Sequence, residues 1–352
     1  MSTKITNFQI NSTDLADCAV IIDSSDPRGK SGIFSSGKFE LGLIEDNIGS
    51  IVPLISGYTT SNYMYQLFTD TDTDITPELA KEYGYKLISM PYVKGGKEIY
   101  PYEDFEKFDY KAFYSDLRNG DIPSTCALSP AKYMEYFEPT LKEGKDILYV
   151  HFSAAMSGTF DAMKLAWAEL SNKYPERKFY TVDTKAITIC SYNIVLEIGD
   201  LAKNGASVQQ ILDWAQQNVD KFAVYFYADD LKFFGKSGRV SHLSATMGNL
   251  LGIRPIINMN SDGIMDSIAK AKGKKATLSK LFEYVRTLQE DIKGHRVIIG
   301  HADAYDLAEE LQTMLKNEYG QDLNTQIVVV NPTAGSHCGP DTVGVCFHAK
   351  HR

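Results

Sequence analysis

The stretch Asp146-Ile147-Leu148-Tyr149-Val150-His151-Phe152-Ser153-Ala154-Ala155-Met156-Ser157-Gly158-Thr159-Phe160 decides the architecture. From Ile147 to Phe152 the run is almost wholly apolar or aromatic, the pattern of a strand buried on both faces. Ser153 to Ser157 makes a short loop. Gly158 to Tyr174 then carries Phe160, Met163, Leu165, Ala166 and Leu170 at helical spacing, and Lys178 to Val182 reads as the next strand. A strand, a loop and a helix leading back to a strand is the repeating unit of a parallel sheet. The unit recurs upstream, where Met64 to Phe68 is an apolar run, Asp70-Thr71-Asp72-Thr73-Asp74 a turn, and Thr76-Pro77-Glu78 the start of a short helix. Ligands of such sheets sit at the carboxyl ends of the strands.

After Lys221 the rhythm changes. Phe222 to Tyr227 predicts a strand, Lys232 to Gly238 a basic loop, and Pro255 to Met259 with Ile264 to Lys270 a hairpin around Asp262-Gly263. Helices are predicted at Ala276 to Asp291 and Ala304 to Asn317, strands at Arg296 to Gly300 and Gln326 to Val330, and a last strand at Thr342 to Phe347. A chain of 352 residues favours roughly two domains. We therefore expect an α/β fold, with a parallel-sheet α/β domain at 62–222, an α+β domain at 223–352, and the ligand in the crevice between them. Residues 1–61 have a different texture, rich in Ser, Asp and Gly, with only Cys18 to Ile22 and Ile51 to Ile55 strand-like. They read as an N-terminal extension.

Hydrophobic residues make up 43% and charged residues 23% of the chain, so disorder and fibrous architecture are excluded. No apolar window reaches the length of a membrane span, and Met1 to Thr6 lacks the apolar run of a signal peptide. A net charge of −9 gives no general attraction to nucleic acid. Five cysteines with no CxxC spacing predict free thiols in a reducing cytoplasm.

Four motifs hold the polar chemistry. The Ser153 to Thr159 loop ends at a helix N-terminus, where unpaired N–H groups and two hydroxyls suit a carboxylate or phosphate; Ser157 alternatively only caps the helix. In Pro123-Ser124-Thr125-Cys126-Ala127-Leu128-Ser129-Pro130, Ser129 reads as the cap of a helix running to about Leu141, and Thr125 is placed to turn its hydroxyl into the crevice. Gly235-Lys236-Ser237-Gly238-Arg239 is not a Walker loop, because Asp230 stands where its first glycine is required; Ser24 fails Gly29-Lys30-Ser31 in the same way. It reads either as a flexible cationic loop for a carboxylate or acidic partner, or as a solvated basic turn. Ser336 to Gly344 predicts a tight turn in which His337 donates to an anion or serves a structural hydrogen bond.

His337, Cys338, Cys346, His348 and His351 match no zinc spacing, so no metal is expected. No GxSxG elbow or triad spacing is present. Asp70, Asp72 and Asp74 either bind a cation, act as acid and base, or cap a turn.

Taken in order, these motifs resemble the DegV family of fatty-acid-binding proteins over about residues 62 to 352. Asp70 to Asp74 resembles DSTxD, Thr125 to Pro130 TSxPSP, Ser153 to Phe160 SSxLSGTY, and Lys236-Ser237-Gly238-Arg239 KGGR. Gly248 to Pro255, Lys270 to Ala276, His301 and His337 to Gly344, the last against HxGPGTxG, continue the series. The resemblance implies a two-domain fold that encloses one long-chain fatty acid, of the palmitate or oleate class, in a tunnel between its halves, with no other cofactor. It implies a substrate-presenting protein rather than an enzyme, offering the carboxylate to an ATP-dependent fatty acid kinase that makes acyl phosphate for phospholipid synthesis. Carried over by position, Thr125, Ser153, Ser157 and Gly158 hold the carboxylate and His337 completes the network. Arg239 and Lys236 serve the kinase or the phosphate. The chain departs from the motifs at Asp72 (for Thr), Cys126 (for Ser), Ala154 (for Ser), Ser237 (for Gly) and Asp341 (for Gly). From other classes, a stand-alone acyl or phosphoryl transferase using His337 or the aspartate cluster, and a lipid sensor signalling through residues 1–61, fit the same composition.

Overall fold

A computed structural model of the chain describes residues 30–35, 38–43, 65–237, 239–241 and 252–352, with the backbone alone at 30–35, 38–43, 236–237 and 241. β1 (Lys30–Ser35) and β2 (Lys38–Leu43) pair antiparallel with Ser35 opposite Lys38, in a compact unit separate from the one that follows. Neither strand was expected; the Ser36-Gly37 pair between them in the sequence is a hairpin signal. The strands expected at Cys18 to Ile22 and Ile51 to Ile55 lie outside the described residues, as do Gly248 to Leu251 of the resembled motif series.

The next unit begins with β3 (Tyr65–Asp70), a 3-10 turn (Thr71–Thr73), α1 (Pro77–Glu82), β4 (Tyr85–Ile88), β5 (Tyr92–Lys94), β6 (Lys97–Ile99), α2 (Tyr110–Arg118), β7 (Ser124–Thr125), α3 (Pro130–Lys142), β8 (Asp146–His151), α4 (Thr159–Lys173) and β9 (Phe179–Asp183). β3, β4, β8 and β9 form a four-stranded sheet in the order β4-β3-β8-β9, parallel throughout as the apolar runs predict. β6-β5-β7 is a small antiparallel sheet beside it. Capping residues start the helices where expected: Thr76 Oγ1 accepts from Leu79 N–H ahead of Pro77, and Ser129 Oγ from Lys132 N–H ahead of Pro130. A proline at the first helical position forfeits no helical hydrogen bond. In α4, Phe160, Met163, Ala166 and Leu170 are buried, but Leu165 is exposed, one position off the buried stripe.

α5 (Ile189–Lys203) and α6 (Val208–Asn218) precede a second sheet. This comprises β10 (Phe222–Tyr227), β11 (Val240–Ser241), β12 (Ile253–Met259), β13 (Met265–Lys272), β14 (Val297–His301), β15 (Thr325–Val329) and β16 (Val343–His348). Its order is β11-β13-β12-β10-β16-β14-β15, mixed parallel and antiparallel. α7 (Lys232–Ser237), α8 (Lys274–Leu288), α9 (Tyr305–Tyr319) and α10 (Pro332–Cys338) connect its strands.

Alternate side chains of the central strands enter two different cores. Val224, Ile298 and Cys346 face the larger core, which also holds the parallel sheet and α5; Tyr225, Ile299 and Val345 face a smaller one with α8 and α9. α5 therefore lies between the sheets, and its first three turns bury almost every side chain.

Two expectations change. Lys232 to Ser237 is helical rather than the expected loop, because Phe233 and Phe234 are buried and the Asp230 carboxylate accepts from Lys232 N–H at 2.9 Å, together seating the short helix α7; Gly238 lies outside the described residues. Nor is the segment around His337 a bare turn. Asn331 Oδ1 accepts from Ala334 N–H at 2.9 Å and Pro332 follows it, so α10 forms and carries His337 in its last turn.

Candidate functional site

Three strands of the parallel sheet, β3, β8 and β9, deliver their carboxyl ends to one cavity. Asp72 follows β3, Met156 to Thr159 follow β8, and Ile187 to Ile189 follow β9; all of them line it. The opposite wall comes from the mixed sheet, with Val224 and Phe226 on β10 and Gly300 and Gly344 facing each other across β14 and β16. The two glycines are there for space: a Cβ on Gly300 would stand 2.6 Å from Ile189 Cγ2, and one on Gly344 would stand 2.7 Å from Phe226 Cβ. The cavity measures about 180 Å³. A water-sized group needs about 10–15 Å³, so a chain of a dozen or more non-hydrogen atoms fits. Met90, Phe152, Met156, Phe226, Phe234 and Met265 supply an apolar, adaptable wall.

Polar groups converge on the same space. β7 carries Thr125 and α10 carries His337, and Thr125 Oγ1 lies 2.9 Å from His337 Nε2. Burial, with help from the Arg239 charge, pushes His337 down to about 4, so the ring is neutral at pH 7 and offers one N–H and one lone pair. Arg239 also lines the cavity, its Nε–H donating to Met156 O at 3.2 Å. Ser157 lines the cavity and accepts from Thr159 N–H at 3.2 Å.

Two long helices begin at this wall without a hydrogen bond from the cap residue's own side chain: α4 at Gly158 and α5 at Thr188. Their partly positive ends favour a negative charge in the cavity. Thr188 adopts φ +53, strained for a β-branched residue, and its N–H donates to Asp72 O at 2.9 Å. The sequence reading passed over α5, whose start has no side-chain cap to announce it.

Ser153, expected at the carboxylate, is placed otherwise. It is buried, its hydroxyl donates to Gly263 O at 2.8 Å and accepts from Ala155 N–H, and it stands outside the cavity lining. It anchors the turn between β12 and β13 onto the loop after β8. The side chain of Lys236 lies outside the described residues.

The Asp70 to Asp74 turn is buried beneath the cavity rather than solvated. Burial pushes Asp70 up to about 7 although Tyr149 O–H and the N–H groups of Phe152 and Asp72 donate to it. Burial likewise pushes Asp74 up to about 7 against two donors from Asn331. Asp72 is raised well above the usual carboxyl range, first by burial and then by Asp70. Among the described residues, no group of three or more His, Cys, Asp or Glu is placed to hold a metal ion, and no helix is long and apolar enough to cross a membrane. Cys126, Cys190, Cys338 and Cys346 are free thiols.

Comparison with known proteins places this geometry. A family model described as "Uncharacterised protein, DegV family" matches residues 64–350. A DegV domain-containing protein of Clostridium perfringens is 32% identical over 283 residues, 80% of this chain and 97% of that protein. Another, of Clostridium acetobutylicum, is 30% identical over 287 residues, 81% and 98% of the two chains. Among solved structures, a fatty-acid-binding DegV family protein of Thermus thermophilus gives a TM-score of 0.71 at 22% identity, covering 81% of this chain and 99% of that one. A DegV family protein of Eubacterium eligens loaded with heptadecanoic acid gives 0.70 at 20% identity, covering 81% and 100%. The α/β fold with a parallel sheet followed by a mixed sheet, expected from the order of strands and helices, is the fold of these structures.

Proposed function

The chain belongs to the DegV family, and on that premise we propose that it binds one long-chain fatty acid and presents its carboxylate to a separate ATP-dependent fatty acid kinase. The observation that carries this reading is the pairing, in one cavity, of an apolar wall with the Thr125–His337 hydrogen bond and two helix N-termini. A buried methylene is worth about 0.8 kcal/mol, so an aliphatic tail of about 14 to 16 carbons gains on the order of 10 kcal/mol before ordering costs. Affinity thus resides in the tail. Hydroxyls and N–H dipoles need only orient the head and offset its desolvation.

In this reading Thr125, Ser157, Gly158 and His337 surround the carboxylate, and Arg239 with Lys236 meets the kinase or the transferring phosphate. A carboxylate oxygen attacks the γ-phosphorus of ATP on the kinase, ADP leaves, and the acyl phosphate supplies phospholipid synthesis. The two halves of the fold are assigned to 62–222 and 223–352, with 1–61 as an N-terminal extension. The free thiols support a cytoplasmic setting.

The test is native mass spectrometry with lipid extraction on protein purified from bacterial cells. One fatty acid per chain is expected. Protein that is empty and also ignores added palmitate or oleate overturns the reading.

A further inference from the structure

Asp72 sits on the cavity wall with 4% of its surface exposed, and its Oδ1 meets no hydrogen-bond partner. Leaving such a group unsatisfied costs about 1–3 kcal/mol, more if it is charged. Thr333 reaches the Asp72 carboxyl, but its single hydroxyl proton is shared with Met90 O at 3.2 Å; the Asn331 side-chain N–H groups go to Asp74 Oδ1 and to the Asp72 carbonyl, so Oδ1 is still left unmet. The missing partner therefore has to come from the cavity.

The groups around Asp72 decide what kind of partner that is. Asp70 and Asp74 lie on its own turn, Tyr149 on β8 and Tyr133 on α3 approach from behind, and Arg239 and the neutral His337 line the cavity with it. Burial and both aspartates favour a proton on Asp72, against the opposing Thr333 hydroxyl and Arg239 charge. The α4 and α5 N-termini meanwhile draw an anion into the same space. A neutral carboxylic acid beside an anion is a hydrogen-bond donor.

We propose that Asp72 is a headgroup ligand: its carboxylic acid O–H donates to the carboxylate of the bound acyl chain, one proton being held between the two carboxyl groups. This rests on the fatty-acid reading above. It makes binding a proton-linked event. Affinity is greatest while Asp72 carries its proton and falls by up to about tenfold per pH unit once that proton has to be taken up from solvent.

The experiment is calorimetric titration of the delipidated full chain with palmitate and with hexadecane sulfonate, whose head stays ionised, between about pH 6 and about pH 9. Repeating the alkaline titrations in buffers of different ionisation enthalpy counts the protons taken up. Wild type should weaken with rising pH for both ligands and take up close to one proton at the alkaline end. Asp72→Asn, which donates without titrating, should show a flat profile, no uptake, and tighter alkaline binding than wild type. Should Asp72→Asn fail to fold, Asp72→Thr makes the same comparison, and the wild-type proton count needs no variant. A flat wild-type profile without uptake overturns the inference and leaves the fatty-acid reading standing. An undiminished slope in a folded Asp72 variant overturns it too, assigning the proton to Asp70 or Asp74. Failure of wild type to bind either ligand at any pH overturns both.

Discussion

Thr125 and His337 are 212 positions apart in the chain, yet Thr125 Oγ1 and His337 Nε2 are joined by a 2.9 Å hydrogen bond. Each supports the other's orientation, Thr125 from a two-residue strand and His337 from the last turn of a seven-residue helix. Neither short element holds its side chain rigidly alone.

Thr125→Val keeps the shape and removes the hydroxyl, so fatty-acid affinity should drop about 10- to 100-fold, the value of a hydrogen bond to a charged group. His337→Ala should lose a similar factor. The double variant should lose less than the product of the two, since both singles break one shared bond. Calorimetric titration with palmitate checks this. Strictly multiplicative losses would show that the two act independently.

Asp70 and Asp74 have native pKa values near 7, above the usual carboxyl value of 3.8, because burial disfavours their charge. Between those limits the folded chain holds more protons than the unfolded one, so their contribution to stability is full at the acid end and is lost as pH rises through about 7. Asp74→Asn removes one titrating group, keeps the oxygen that Asn331 donates to, and suits a backbone at φ 62. Its unfolding midpoint should therefore exceed wild type by a few degrees at pH 8 and fall less steeply from pH 5 to pH 8. Parallel wild-type and variant curves would refute the assignment.

Ser153→Ala removes the donor to Gly263 O and the acceptor for Ala155 N–H, at a cost of about 1–3 kcal/mol. Thermal melts should show that loss, with a smaller effect on palmitate affinity than Thr125→Val. An unchanged melt with strongly weakened binding would restore Ser153 to the head group.

Gly339 ends α10 at φ +74, and a Cβ there would run into the Phe233 ring, which is itself buried on α7. Gly339→Ala should cost about 1–3 kcal/mol in combined backbone strain and overpacking. It should also weaken ligand binding by displacing His337 two residues earlier. Normal stability and affinity in this variant would mean that α7 and α10 yield more easily than their packing indicates.

Three strands of the parallel sheet were legible because β3, β8 and β9 are largely apolar and the sheet's helices open on Thr76-Pro77 and Ser129-Pro130, signals that act within a few residues, whereas β4, only four residues long and interrupted by Lys86, was not. The Asp262-Gly263 turn was legible for the same reason: Asn260 N–H closes on Ile264 O at 2.9 Å, and the Asn260 carboxamide oxygen accepts from Asp262 and Ile264 N–H. α7 and α10 were not, because each is short, and glycine, lysine and histidine in them resemble loop composition while tertiary burial of Phe233, Phe234 and Ala334 settles the matter. Thr125 lines the cavity and Ser153 does not, since the hydroxyl of Ser153 is claimed by a carbonyl 110 residues away. Asp72 drew attention as part of an acidic turn and as a departure from a motif; its position on the cavity wall depends on how three strands end together.

An interior strand of the mixed sheet, β16 between β10 and β14, is the last of the sixteen strands among the described residues. On the ribosome, β10 emerges well over a hundred residues before the neighbour that bonds it on one side, and N-terminal segments otherwise settle first. The opposite wall of the cavity is therefore laid down at the close of translation. On the proposed reading, a nascent chain carries Thr125 and the parallel strands long before the cavity closes, so lipid loading is expected of the released protein and truncation ahead of β16 is expected to abolish it.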